Sequence, residues 1–165
     1  MKIDLLPILN ADGRKLPLDI ELDFVGKTEQ DARFLTPTRD VGQFANIGGS
    51  IELSATASCR LELFCDRCCE AFESDFECSF EEVFKKEDAR VENDKNPDVV
   101  ILSGTAVDIC EVVANNIVLN LPFKRLCSEG CKGLCANCGQ NLNEGDCGCD
   151  TRPTDPRFDI LDGLL

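Results

Sequence analysis

Residues 51–84 read IELSATASCRLELFCDRCCEAFESDFECSFEEVF, two alternating segments separated by a short cysteine-containing break. In the first segment an apolar residue occupies every second position, and in the second segment phenylalanines and one cysteine recur at even-numbered positions from Phe72 to Phe84. Alternation of apolar and polar side chains predicts a strand with one buried face. Two such strands joined through residues 65–68 predict a long antiparallel hairpin, on which we expect the sheet to be built.

Shorter strands are predicted on both sides of this hairpin. In each of them apolar side chains alternate with polar ones or form a brief apolar run. One of them precedes the turn Gly48-Gly49 and is interpreted as an edge strand. The segments are residues 3–9, 16–24, 41–47 and 99–102.

The pattern changes after residue 105, where apolar residues recur at steps of three and four as far as Leu121. This period predicts one amphipathic helix that packs across the sheet. Thr105, followed three residues later by Asp108, is typical of an N-terminal cap, and Pro122 ends the helix. The polar residues 85–98 are interpreted as a loop. The tail after the last cysteine predicts a short helix whose apolar residues are Phe158, Leu161 and Leu164.

Composition restricts the functions that the chain can have. It has 31 acidic and 17 basic side chains and a formal charge of −14, which argues against broad adhesion to a nucleic acid backbone and favours a basic partner. No segment resembles a secretory signal or approaches membrane-spanning length. We therefore expect a cytoplasmic protein that is not inserted in a membrane.

Cysteine is the most informative residue type, because the chain has 12 cysteines and no histidine. In a reducing cytosol, clustered cysteines are more often metal ligands than disulfides, although a secreted disulfide scaffold is the alternative. With no histidine present, sulfur is the soft ligand that remains for zinc. Half of the cysteines form one cluster: Cys127, Cys131, Cys135, Cys138, Cys147 and Cys149.

Counting ligands in fours predicts two zinc sites. The short, turn-rich stretch after residue 134 makes a self-contained set of Cys135, Cys138, Cys147 and Cys149. The hairpin pair Cys65 and Cys68 then completes a second set with Cys127 and Cys131. One alternative is a single site made from any four tail cysteines, with the hairpin thiols free. The hairpin pair alone could equally be a redox dithiol.

The remaining cysteines have other predicted roles. Cys59, Cys78 and Cys110 lie on apolar faces and are interpreted as small buried hydrophobes, whereas Cys69 is ambiguous. A zinc site closed by four sulfurs has no open position for water, so both sites are predicted to be structural. The predicted fold class is α+β, with an antiparallel β-sheet, a long central hairpin and one packed amphipathic helix. Residues 1–126 form this core, and residues 127–165 form a Cys-rich zinc-binding module.

Nothing else in the sequence predicts catalysis. The commonest general base, histidine, is absent, and there is no glycine-rich phosphate loop, so we expect that the protein is not an enzyme. The local basic patch of Lys124, Arg125 and Lys132 could contact RNA phosphates weakly, but ordinary solubilising side chains explain it equally well.

Several motifs follow one another along the chain: Cys65-Asp66-Arg67-Cys68, Asn120-Leu121-Pro122, Leu126-Cys127, Cys131-Lys132-Gly133-Leu134-Cys135, Cys138-Gly139-Gln140-Asn141-Leu142-Asn143, Cys147-Gly148-Cys149 and Asp155-Pro156-Arg157. Taken in this order, they resemble the YceD-type large ribosomal RNA subunit accumulation proteins of bacteria and plastids. The resemblance covers residues 45–165 well and the N-terminal third loosely. Cys69 departs from it, because a leucine is more typical there.

This resemblance implies a noncatalytic role in large ribosomal subunit biogenesis, through accumulation or processing of 23S rRNA. Combined with the acidic charge, it favours an adaptor for a basic ribosomal protein or a pre-large-subunit particle. Two other classes stay open at this point: a zinc-thiolate redox sensor or chaperone, and a zinc-ribbon adaptor in transcription.

Overall fold

The computed structural model describes residues 1–86, 99–102 and 104–149. These residues form nine strands and two helices, and the two longest strands are neighbours in the main sheet. In chain order they are β1 (Lys2–Asp4), α1 (Leu6–Leu9), β2 (Lys15–Leu22), β3 (Thr28–Glu29), β4 (Ala32–Phe34), β5 (Thr38–Ile47), β6 (Ser50–Phe64), β7 (Ala71–Lys86), β8 (Val99–Leu102), β9 (Ala106–Asp108) and α2 (Ile109–Asn120).

The chain divides into two compact units. The first, which we call the sheet unit, comprises Met1–Leu63 and Glu73–Phe123. The second, the cysteine unit, comprises Phe64–Phe72 and the chain from Lys124 onward. The cysteine unit is therefore assembled from two stretches that are far apart in sequence.

The main sheet is mostly antiparallel, which confirms the predicted antiparallel β-sheet with helices. In the described residues its strand order is β2-β5-β6-β4-β3, and β7 pairs with both β6 and β8. The pairing of β7 with β8 is parallel. The prediction that residues 41–47 form an edge strand is wrong, because β5 lies between β2 and β6 and pairs with both. The sequence pattern of one strand does not reveal which distant strands will cover its two edges.

The core lies on one face of this sheet. Along β6 the odd-numbered residues from Ile51 to Leu63 are buried, while the even-numbered residues face solvent wholly or in part. Phe44 of β5 and Phe84 of β7 pack with ring centroids 6.3 Å apart. Burying apolar side chains of this size contributes about 1.5–3 kcal/mol each, so this face is the main source of stability in the sheet unit.

The N-terminal segment differs from its prediction. Residues 3–9 are not one strand, because β1 ends at Asp4 and α1 begins at Leu6. Pro7 lies in the first turn of α1, where its missing N–H costs nothing. The Asp4 carboxylate accepts a hydrogen bond from the Leu6 N–H at 3.0 Å and so turns the chain into the helix.

The longer helix, α2, begins at Ile109, three residues later than a cap at Thr105 predicts. Residues 106–108 form β9, which pairs with β1, and Asp108 then caps α2 by accepting a hydrogen bond from the Cys110 N–H at 3.1 Å. Ile109, Val113 and Ile117 bury one face of the helix. No helix in the described ranges is long and apolar enough to cross a membrane. Lys85 and Lys86 belong to β7 and not to the predicted loop. The rest of that loop, residues 87–98, and the predicted tail helix lie outside the described residues.

Candidate metal centre

The first group of thiols consists of Cys65, Cys68, Cys127 and Cys131, whose sulfur atoms all lie within 4.8 Å of one another. The Sγ atoms of Cys65 and Cys131 are 3.7 Å apart, and so are those of Cys68 and Cys127. Four sulfurs that bind zinc tetrahedrally at about 2.3 Å lie about 3.8 Å from one another. The geometry of this group therefore fits a zinc ion.

The turn that carries Cys65 and Cys68 is closed by two backbone hydrogen bonds. The Cys65 N–H donates to the Glu70 carbonyl at 2.9 Å, and the Cys69 N–H donates to the Cys65 carbonyl at 2.8 Å. Hydrogen bonds from the backbone of Cys127, and secondarily of Cys68, lower the pKa of the Cys65 thiol to about 6. A thiol that ionises this readily is prepared for metal binding, because the thiolate is the ligand.

Apolar side chains cover this first group. Cys65, Cys68 and Cys131 are buried, and Phe72 and Leu126 pack against them. Such a shell keeps water from these three sulfurs and strengthens their attraction to a cation, whereas Cys127 is exposed. The arrangement suits a structural ion better than one that must exchange ligands with solvent.

The second group consists of Cys135, Cys138, Cys147 and Cys149, again with all sulfurs within 4.8 Å. Its turn repeats the backbone of the first. The Cys135 N–H donates to the Gln140 carbonyl at 2.8 Å, and the Gly139 N–H donates to the Cys135 carbonyl at 2.9 Å. Hydrogen bonds from the backbone of Cys138 and then of Asn137 lower the pKa of Cys135 to about 6. The two Cys-x-x-Cys turns are thus the same structural element used twice.

Neither group can hold four thiolates without a cation, because neighbouring thiolates repel one another. In the second group the neighbouring Cys138, followed by Cys147, raises the pKa of Cys149 to about 12. Closely spaced thiols titrate as a set, so ionising one opposes ionising the next. A divalent cation would remove this opposition and allow all four thiolates to form.

The structure thus brings the predicted ligands together in two sets of four within the cysteine unit. Metal binding by these residues stays a prediction. Of the other cysteines, Cys59 and Cys78 are buried in the sheet unit, Cys110 is half-buried and Cys69 is exposed. Cys69 is not part of the first set, although it directly follows Cys68.

The position of Cys69 matches that of Gly139 in the second turn. Both residues have a positive φ, +60° for Cys69 and +75° for Gly139. Glycine adopts this left-handed backbone without steric cost, whereas a residue with a Cβ does not. Cys69 therefore introduces strain at the point where the first turn closes.

Two polar residues support the first group although the sequence did not predict this role. The Asp66 carboxylate accepts a hydrogen bond from the Arg125 N–H at 2.6 Å, and the Asp66 N–H donates to the Arg125 carbonyl at 2.8 Å. The Asn143 side chain donates to Cys131 Sγ at 3.3 Å. The position of Asp66 inside the Cys-x-x-Cys motif could have indicated its supporting role. The turn-forming residues around Asn143 explain that asparagine locally and give no indication of its contact with Cys131.

The three residues of the predicted basic patch differ in exposure. Lys124 and Lys132 are exposed, and Arg125 is half-buried with its backbone bonded to Asp66. The Lys132 N–H donates to the Asn143 side chain at 2.8 Å. These residues border the first group of thiols, and contact with RNA by their side chains stays a prediction.

Comparison with known proteins adds a functional context. Residues 53–165 match the family model of the large ribosomal RNA subunit accumulation protein YceD. Over 58 residues the chain is 31% identical to large ribosomal RNA subunit accumulation protein YCED homolog 1, chloroplastic, of Arabidopsis thaliana. That alignment covers 35% of this chain and 18% of the relative, so the chain spans less than a fifth of the relative it matches. No solved structure matches the chain.

Proposed function

This chain belongs to the YceD family of large ribosomal RNA subunit accumulation proteins, and on that premise we propose that it is a noncatalytic factor in large ribosomal subunit biogenesis. Its role would be to support accumulation or processing of 23S rRNA in the cytoplasm. The observation that carries the proposal is the family match, which extends from β6 through both groups of thiols to the end of the chain.

The proposal includes two structural zinc ions. One would be held by Cys65, Cys68, Cys127 and Cys131, and the other by Cys135, Cys138, Cys147 and Cys149. Zinc would supply a cross-link between chain segments, and four sulfurs per ion leave no position for a reacting water. In this proposal a zinc-binding module follows a core over residues 1–126 that is built on a long hairpin of β6 and β7.

The partner proposed for this factor is a basic ribosomal protein or a pre-large-subunit particle. The formal charge of −14 supports this partner. Each filled site, with four thiolates and one divalent cation, would contribute a further net charge of about −2. Charge complementarity raises association rates and discourages wrong partners. Weak contact with rRNA through Lys124, Arg125 and Lys132 is compatible with this role, because protein contacts would provide most of the affinity.

Deletion of the gene tests the proposal directly. The expected result is fewer mature 23S rRNA molecules and fewer free large subunits in gradient profiles, both restored by the wild-type gene. Unchanged 23S precursors and unchanged subunit profiles would overturn it. For the adaptor mechanism, a nuclease-treated pull-down should retain a basic ribosomal protein. Recovery of rRNA without any ribosomal protein in untreated samples would contradict that mechanism alone.

The exposed thiols of Cys69, Cys127 and Cys138 favour a second candidate, a zinc-thiolate redox sensor or chaperone. Oxidation of exposed thiolates would remove ligands and release zinc. Mild peroxide separates the two candidates. A sensor should lose zinc and the fold of its cysteine unit rapidly and regain both with a thiol reductant, whereas a purely structural module should retain its zinc under the same treatment.

A further inference from the structure

The two groups of thiols share one short segment of chain. Cys131 belongs to the first group and Cys135 to the second, with only three residues between them. The Leu134 N–H donates to the carbonyl of Arg67 at 3.0 Å, and the Arg67 guanidinium donates to the Cys131 carbonyl at 2.7 Å. The segment is therefore bonded at both ends to the turn that carries Cys65 and Cys68.

Gly133 allows this close contact. Its φ is +77°, and a Cβ at this position would lie 2.9 Å from the Arg67 carbonyl oxygen. Both the backbone conformation and the lack of space require glycine here. The Leu142 N–H donates to the Gly133 carbonyl at 2.8 Å, so the same glycine also contacts the loop that lies between Cys138 and Cys147.

Asn143 lies in that loop of the second group but contacts a ligand of the first. Its side-chain amide donates to Cys131 Sγ at 3.3 Å and to the Asn141 side chain at 2.8 Å. Its side-chain oxygen accepts a hydrogen bond from the Lys132 N–H at 2.8 Å. These three contacts fix the orientation of the amide, which therefore presents an N–H to the sulfur of Cys131.

We propose that Asn143 is a positioning residue that couples the two candidate metal sites, so that filling the second site strengthens metal binding at the first. This inference rests on the proposed zinc sites. A metal bound to Cys138 and Cys147 would hold closed the loop that carries Asn143. The amide would then be held in its observed position, donating to the Cys131 thiolate, which bears excess negative charge when four thiolates surround one divalent ion.

The size of the coupling follows from general experience with residues that hydrogen-bond to metal ligands. Removing such a partner typically weakens metal affinity by about 10- to 100-fold. Because coupling between two binding equilibria is reciprocal, filling the first site must strengthen the second by the same factor. The two metals would therefore bind cooperatively.

Titration of the full chain with Co²⁺ alone tests the proposal, with binding monitored through the absorption of the thiolate-bound ion. Cys138→Ser disables the second site and allows the first to be measured by itself, and Cys127→Ser does the reverse. Both substituted cysteines are exposed. We expect Cys138→Ser to weaken the first site by about 10-fold or more, and we expect this effect to disappear when Asn143→Ala is already present.

Asn143→Ala alone tests the coupling without changing a metal ligand. It therefore keeps the proposal testable even if Cys138→Ser unfolds the loop that carries Asn143. Glu144→Gln is the matched control, because Glu144 is exposed in the same loop. Asn143→Ala should weaken the first site by about 10-fold while Glu144→Gln leaves it unchanged. If the first site binds Co²⁺ with the same affinity in the wild type, in Cys138→Ser and in Asn143→Ala, the coupling is overturned but the proposed zinc sites stay intact. Fewer than two ions bound by the wild-type chain would overturn both.

Discussion

Asp40→Asn should remove a loss of unfolding free energy that the sheet unit undergoes as the pH rises. Asp40 lies on β5 with no exposed surface, and neither carboxylate oxygen has a hydrogen-bond partner among the described residues. Burial raises its pKa from an ordinary value of 3.8 to about 7. The thiols of Cys59 and Cys78 are its titratable neighbours, and burial raises the pKa of each of them, so neither supplies a compensating charge.

The magnitude follows from this difference between the folded and unfolded pKa of Asp40. Each pKa unit corresponds to about 1.4 kcal/mol, so ionised Asp40 costs the folded state about 4 kcal/mol above pH 7. Because the folded pKa is raised, this carboxyl has no effect below about pH 4, lowers the unfolding free energy between about pH 4 and pH 7, and has a constant effect above that range.

Urea unfolding followed by circular dichroism measures the effect, because the chain has no tryptophan or tyrosine for fluorescence. Between about pH 5.5 and pH 8 the wild type should lose about 2 kcal/mol relative to Asp40→Asn, at constant zinc concentration. Glu52→Gln is the control, since this exposed carboxylate on the adjacent β6 should give a pH profile parallel to the wild type. Parallel profiles for wild type and Asp40→Asn would refute the reasoning.

Three other perturbations give distinct outcomes. Cys69→Gly should raise the melting temperature by relieving about 1 kcal/mol of left-handed strain, whereas Cys69→Ala, which keeps a Cβ, should not; equal melting of the two variants would contradict the strain argument. Removing zinc with a strong chelator should accelerate amide exchange at residues 64–72 and 124–149 while β5 and residues 50–63 of β6 stay protected, and protection that does not change would count against structural zinc. Leu53→Ala should lower the unfolding free energy by about 2–5 kcal/mol in urea, because Leu53 is wholly buried in β6, and a loss below about 1 kcal/mol would contradict its place in the core.

The strands and the cysteine groups differ in how well their sequences predict them. The alternation along β6 identifies its buried face because each second residue points the same way. The β5 pattern is misleading, since Asp40 and Asn46 are buried while Val41 and Ile47 are exposed. Pairing with β2 and β6 fixes the orientation of β5, and this long-range pairing overrides its local pattern.

Cysteine spacing predicts each Cys-x-x-Cys pair because that turn is a local structure, whereas the meeting of Cys65 and Cys68 with Cys127 and Cys131 follows only from counting ligands in fours. The contact of Asn143 with Cys131 could not be predicted in the same way. An asparagine in a turn-rich stretch is usually explained by the turn itself, and its second contact depends on how two loops pack. Pro7, by contrast, was a local signal in the sequence, because proline is typical of the first turn of a helix. The apolar run around it favoured the prediction of a strand instead.

Zinc content measured by native mass spectrometry on the full chain, purified without added metal or chelator, tests the central structural claim most directly. The account predicts two zinc ions per chain with all eight ligand cysteines deprotonated, and one ion each in Cys127→Ser and Cys138→Ser. A wild-type chain that carries one zinc ion or none, or that contains disulfides among these eight cysteines, would contradict it.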